Sequence, residues 1–106
     1  MRVLRLVGPF TLNTLVAFQE TVRKDPGPLT IIDLSDVPYM DSAALGSLLG
    51  VHVSCERNGR KYALVGVPER IETLFRTCHV DDFLVIHPDL AAAELSLLGE
   101  SADGTN

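Results

Sequence analysis

The chain has no tryptophan, only two cysteines and an aromatic share of 6%. Cys55 and Cys78 lie far apart, with no CxxC pair and no Cys/His cluster at zinc spacing, so neither a disulfide framework nor a zinc site is indicated. Both sit in helical patterns and read as reduced core thiols. No run of Lys and Arg exists: 9 basic residues are scattered among 14 acidic ones, for a net charge of -5. A nucleic-acid groove needs clustered positive charge, which excludes that class of partner, whereas a protein with a basic face is compatible. No apolar run approaches the roughly 20 residues that cross a bilayer, so membrane insertion is not expected. Met1-Arg2 leads into a segment too short for a signal peptide, and the expected compartment is the cytoplasm. Glycine-rich phosphate loops and the GxSxG elbow are missing. His52, His79 and His87 stand apart from any Asp or Ser at a suggestive spacing, and they read as surface or internally satisfied histidines. Nothing in this inventory predicts an enzyme, a catalytic residue, a metal or a cofactor.

What is present is an alternation. The 106 residues are 46% hydrophobic with mean hydropathy +0.21, which suits one hydrophobic core. We expect a single domain over residues 1–99 and a polar, disordered tail over 100–106. Val3–Val7 is a short strand ending at Gly8-Pro9. From Thr11 to Lys24, Leu15, Phe18 and Val22 fall at helical spacing with Leu12 and Val16 nearby, and Thr11 or Asn13 is placed to cap the start. Leu29–Leu34 is β-branched and apolar up to Asp33, as in a strand covered on both faces. Ser42–Arg57 is helical, with Leu45, Leu48, Leu49 and His52 as its apolar stripe and Asn58-Gly59 as its stop. Gly46 and Gly50 each cost this helix about 1 kcal/mol relative to Ala, and close approach to the sheet is the expected compensation. A strand over Lys61–Val67, a helix beginning at Pro68, a strand over Phe83–Ile86 and a helix over Leu90–Leu98 capped by Asp89 complete the chain. Strict β-α alternation predicts an α/β fold of about four strands, with right-handed crossovers between parallel neighbours.

One junction stands out. In Asp33-Leu34-Ser35-Asp36-Val37-Pro38-Tyr39-Met40-Asp41-Ser42, a buried strand runs through a short loop into a helix, with Asp41-Ser42 at the helix start. The first N–H groups of a helix have no partner within it, and they and the dipole favour a negative group there by about 0.3–1 kcal/mol. A phosphate on Ser42, adding a charge of about -1.5 to -2, would change the surface more than the fold and would weaken a partner docked on this helix end. The same pattern also fits a Ser42 that is merely the first helical residue, with Asp41 as the cap. Ser47 and Ser54 are read on the outward face of the helix, away from the Leu45/Leu48/Leu49 stripe. Ser47 ranks below Ser42 as an acceptor because mid-helix N–H groups are already bonded. Ser35 and Asp36 frame the surface from the preceding loop. An Asp-phosphorylated receiver is an alternative suggested by Asp33, Pro38, Met40 and Asp41. Its spacing is one residue too long, however, and Val7-Gly8-Pro9 stands where a receiver's acidic pair would hold Mg²⁺.

Over nearly its whole length the chain resembles the STAS domain family, above all the bacterial anti-sigma factor antagonists. The resemblance rests on Ile32-Asp33-Leu34-Ser35-Asp36-Val37, Tyr39-Met40-Asp41-Ser42 and Leu45-Gly46-Ser47-Leu48-Leu49, with weaker agreement over Lys61–Val67 and around Ile71, Leu74 and Phe75. It implies a small mixed or mostly parallel sheet with helices mainly on one face. It also implies that Ser42 is phosphorylated by the partner, an anti-sigma factor that is a serine kinase, and that a phosphoserine phosphatase resets the cycle. The contact surface would include Ser35, Asp36, Asp41, Ser42, Ser47 and Ser54. Three departures accompany it. Ala43-Ala44 stand where Ser or Thr and then Gly are usual. Gly8-Pro9-Phe10-Thr11 replaces a Gly followed by acidic residues. The family's additional N-terminal strand has no counterpart in this sequence, so either that strand lies outside it or a sheet edge is open to pairing with another chain, an edge-strand dimer for example. A STAS scaffold subunit that does not cycle phosphate, of the stressosome or lipid-transport type, is the alternative in this family.

Overall fold

Leu29, Thr30, Ile31 and Ile32 are all buried in succession, because the strand that contains them has neighbours in its own sheet and layers above and below. In the computed structural model, which describes residues 2–24 and 28–96, this strand is β2 (Leu29–Asp36). It lies between β1 (Arg2–Val7) and β3 (Lys61–Val65), with β4 (Ile86–His87) beyond β3; every pairing is parallel and the order is β1-β2-β3-β4. Side chains alternate between faces. Ile32, Leu34, Tyr62 and Leu64 point to one side, where they meet Leu15 and Phe18 of α1 (Leu15–Lys24), Leu45 and Leu48 of α2 (Ser42–Asn58), and Ile71 and Phe75 of α3 (Glu69–Thr77). Leu29, Ile31, Ala63 and Val65 point to the other side and meet Ala93 of a last helix, α4, at residues 90–96. Helices thus lie mainly on one face of a parallel sheet, the arrangement that the family resemblance implies.

The helix boundaries have local causes. Ahead of α1, the Thr11 N–H donates to Thr14 Oγ1 at 2.9 Å, and the Thr14 hydroxyl donates to the Pro9 carbonyl at 2.9 Å. The side chain that satisfies a free N–H ahead of α1 is thus Thr14, while Thr11 contributes its carbonyl, which accepts from the Leu15 N–H. Gly59, at φ 65°, closes α2, and Asp89 Oδ1 accepts from the Ala92 N–H at 2.8 Å at the start of α4.

Four expectations need correcting. Residues 81–83 form a turn in which the Phe83 and Leu84 N–H groups donate to the Val80 carbonyl, so the fourth strand is Ile86–His87 rather than Phe83–Ile86. Cys78 is exposed at the end of α3 and only Cys55 is partly buried. Leu12 and Val16 are exposed instead of joining the core stripe of α1. Gly46 and Gly50 do not approach the sheet: both are exposed, and an added Cβ on either would meet nothing within 4 Å. The end of the predicted last helix (residues 97–98) and the tail at 100–106 lie outside the described residues.

Candidate functional site at the start of α2

The loop from β2 to α2 is pinned from below. Val37 and Met40 are buried, while Pro38 and Tyr39 between them are exposed. A parallel bridge joins Met40 to Phe10: the Phe10 N–H donates to the Tyr39 carbonyl at 3.1 Å and the Asp41 N–H to the Phe10 carbonyl at 3.3 Å. This bridge sets the turn into α1 and the start of α2 side by side.

Asp41 serves both of these helix starts. Its backbone is extended (φ -100°, ψ 178°). Oδ1 accepts from the Ala44 N–H at 2.9 Å, capping α2, and Oδ2 accepts from the Leu12 N–H at 2.9 Å, in the turn that leads to α1. These backbone donors, Ala44 first and Leu12 next, hold the Asp41 carboxyl below the usual carboxylate range. Because Asp41 does the capping, Ser42 is left as the first residue of α2, exposed, with a hydroxyl that makes no hydrogen bond among the described residues. The geometry makes Asp41 the cap and Ser42 the first helical residue, an arrangement compatible with both readings of this junction.

Ser35 and Asp36 lie at the same end of the sheet but are already engaged. The Ser35 hydroxyl donates to Asp33 Oδ1 at 2.6 Å and its N–H to the same oxygen at 2.9 Å. Burial raises the Asp33 pKa, but these two bonds and the nearby Arg5 outweigh it and the net direction is down. Arg5 grips Asp36 Oδ2 through Nε at 2.7 Å and Nη2 at 2.6 Å.

A sequence profile of the STAS domain matches residues 1–93. The chain belongs to the STAS domain family. Among curated relatives, the anti-sigma-B factor antagonist of Staphylococcus aureus is 27% identical over 78 residues, covering 74% of this chain and 72% of the relative. Among solved structures, a putative anti-sigma factor antagonist from Thermotoga maritima superposes with a TM-score of 0.80 at 23% identity, covering 89% of this chain and 86% of that one. A sulfate transporter family protein from Wolinella succinogenes superposes with a TM-score of 0.78 at 20% identity, covering 93% and 87%. At such identities the two structures speak for the fold.

In this STAS chain the outer residues of α2 do not all gather at Ser42. Ser54 is twelve residues along the helix, about 18 Å away at 1.5 Å per residue. Ser47 is half-buried and within 3.5 Å of Gln19 Nε2, so it faces α1 rather than straight outward. The face that continues from Ser42 is made by Gly46, Leu49 and Val53, at i+4, i+7 and i+11. Val53 is 46% exposed on it, and Tyr39 (47%) and Leu12 (65%) add apolar surface at the Ser42 end. Sequence reasoning missed Leu12 and Tyr39. Leu12 fits a helical stripe on paper, and only the Asp41 bond shows that it belongs to the turn beside Ser42. His52 resolves as structural: Nδ1 lies 2.7 Å from the Tyr62 hydroxyl, Nε2 lies 3.1 Å from Glu56 Oε1, and the ring packs on Phe83. No group of three or more His, Cys, Asp or Glu among the described residues is arranged to hold a metal, and no helix among them is long and apolar enough to cross a membrane.

Proposed function

We propose that this STAS domain is an anti-sigma factor antagonist that binds a cognate anti-sigma factor with serine kinase activity through the start of α2, and that phosphorylation of Ser42 switches the binding off. The protein acts by binding, as kinase substrate rather than as enzyme, and works in the cytoplasm, with a phosphoserine phosphatase restoring the active form. The observation that carries this reading is the division of labour at the junction. Asp41 holds both helix starts, and the adjacent hydroxyl is exposed and makes no hydrogen bond among the described residues. A phosphoryl group transferred to Ser42 disturbs no hydrogen bond of the fold, and its charge arrives beside Leu12, Tyr39 and Gly46, in the middle of the surface that a partner would cover. Gly46 supports the same reading. A glycine whose absent side chain faces open solvent gives a partner close access to the helix backbone.

Binding assays with the cognate anti-sigma kinase test it. Ser42→Ala should bind like wild type, Ser42→Asp should bind at least about tenfold more weakly, the equivalent of about 1.4 kcal/mol, and intact mass should show one phosphate on wild type and none on Ser42→Ala. Equal binding by both variants with no phosphate acquired would instead identify a non-cycling scaffold module. A modification labile in base would point to an acyl phosphate on Asp and the receiver reading.

A further inference from the structure

We propose that the groove between α1 and α2 binds a small amphipathic anion, an organic carboxylate or phosphate monoester with an apolar body. The site is separate from Ser42 and goes beyond the antagonist reading. The groove is open to solvent along its length and offers about 480 Å³, within the volume range of small-molecule sites. Its floor is apolar, made by Phe18, Val22 and Val51, and its walls are polar, made by Gln19, Arg23, Ser47, Ser54 and Arg60. At the Ser54/Arg60 end, a recess of about 30 Å³ shares Val22, Val51, Ser54 and Arg60 with the groove and is completed by Arg2, Thr30 and Cys55. That volume accommodates one water-sized group, such as a single carboxylate or phosphate oxygen.

Three observations favour an anion with an apolar body. First, neither Arg23 nor Arg60 pairs with a carboxylate among the described residues, although the chain as a whole carries a net charge of -5. Second, the buried Nε of Arg2 has no partner among the described residues; its two terminal nitrogens are spent on the Thr21 and Val22 carbonyls at 3.0 and 3.1 Å. A buried guanidinium N–H without an acceptor is a cost that an anionic oxygen would remove. Third, Gly50 lines the groove, and a Cβ there would meet nothing within 4 Å, so the fold does not require glycine at this position. The groove does: a larger residue on this turn of α2 would fill it.

The test is amide chemical-shift titration of the full chain with decanoate and with phenyl phosphate, alongside decanol and inorganic phosphate, each of which supplies half of the ligand. Decanoate or phenyl phosphate should shift amides at Phe18, Val22, Gly50, Ser54 and Arg60 saturably, and the tighter of the two identifies the headgroup. Decanol and inorganic phosphate should each bind at least about tenfold more weakly. Arg23→Gln with Arg60→Gln should lower affinity by about tenfold or more, and Gly50→Met should abolish binding. Gly50→Met replaces a helical glycine with a good helix former, so its fold is retained, and thermal melts of both variants confirm it. Absence of saturable shifts with both anions, shifts centred elsewhere, or undiminished binding by Gly50→Met would overturn the proposal.

Discussion

The two ends of the sheet are chemical opposites. Where the strands finish and the helices begin lie Asp33, Asp36, Asp41, Glu69 and Asp89, together with Ser42. Where the strands begin and the helices finish lie Arg2, Arg23, Lys24, Arg57, Arg60, Lys61 and Arg76, seven of the nine basic residues. Topology explains the sorting. In an all-parallel sheet every crossover helix runs back against the strands, so helix N-termini collect at one end and C-termini at the other, and each macrodipole favours acid at the first and base at the second. What differs is how far each end is satisfied. Asp33, Asp36 and Asp41, the three acids nearest the start of α2, are all hydrogen-bonded within the fold, while the neutral Ser42 hydroxyl beside them makes no hydrogen bond among the described residues. At the basic end Arg23 and Arg60 have no carboxylate partner among the described residues. On the two proposals made above, the first end is changed by an added negative charge and the second receives one from outside.

The sharpest way to break this contrast uses two glycines. Gly66, just past β3, has φ +64°, and a Cβ there would sit 3.0 Å from both Asp33 Oδ1 and Ser35 Cβ. Gly66→Ala should destabilise the protein by about 1–3 kcal/mol through strain at a left-handed position, and should also loosen the Asp33–Ser35 clasp. Gly46→Ala, with nothing in its way on an exposed helix face, should stabilise by up to about 1 kcal/mol. Denaturant titration of the two variants should therefore give midpoint shifts of opposite sign. A destabilised Gly46→Ala would show that the α2 surface is needed for folding rather than for contact.

Next in size is the separation of Asp41 from Ser42. Asp41→Ala removes acceptors at two helix starts and should lower the melting temperature by several degrees, whereas Ser42→Ala should leave it unchanged. The acid limb of stability should follow. Asp33 and Asp41 have depressed pKa values in the fold, so their stabilising contribution is complete above the ordinary carboxylate pKa and is lost as pH falls through the lowered folded values. Asp41→Asn should flatten stability against pH below about pH 4. An unchanged acid limb would mean that the Leu12 and Ala44 bonds do not hold in solution.

Much of this was legible in the sequence because periodicity and caps agree with each other. The β2 run, the Asp41-Ser42 junction, the Gly59 stop and the Asp89 cap are all local signals that the packing leaves intact. The readings that failed depended on direction or on distant partners. Helical spacing marks Gly46 and Gly50 as unusual but does not say whether the missing side chains face the sheet or solvent. Phe83 looks like the start of a strand, yet its ring packs on His52, from a different element, and the turn at 81–83 holds it there. The α1–α2 groove joins residues from four parts of the chain, and no single window of sequence contains it.

The smallest effect belongs to the basic end, where the ionisation of one buried phenol is felt only in alkali. Tyr62, second residue of β3, accepts the Val85 N–H at 3.1 Å and lies 2.7 Å from His52 Nδ1, tying the segment before β4 to α2. Burial, opposed in part by the Val85 bond and reinforced by Cys55, once its thiol ionises in alkali, and by the Glu56 carboxylate, pushes its phenol up to about 12. A folded pKa above the unfolded one means that the contribution is complete below the unfolded value, near 10, and is lost as pH rises from there through about 12. The acidic end should therefore fail first in acid and the Tyr62 link first in base. Absorbance titration should show a late-ionising phenol that Tyr62→Phe removes. That variant should also weaken the tie to Val85 at every pH, at a cost of about 0.5–1.5 kcal/mol for a lost hydrogen bond. If Tyr62 instead ionises at an ordinary pH, the His52–Tyr62–Val85 chain is open to water, and alkaline loss of stability must arise elsewhere in the fold.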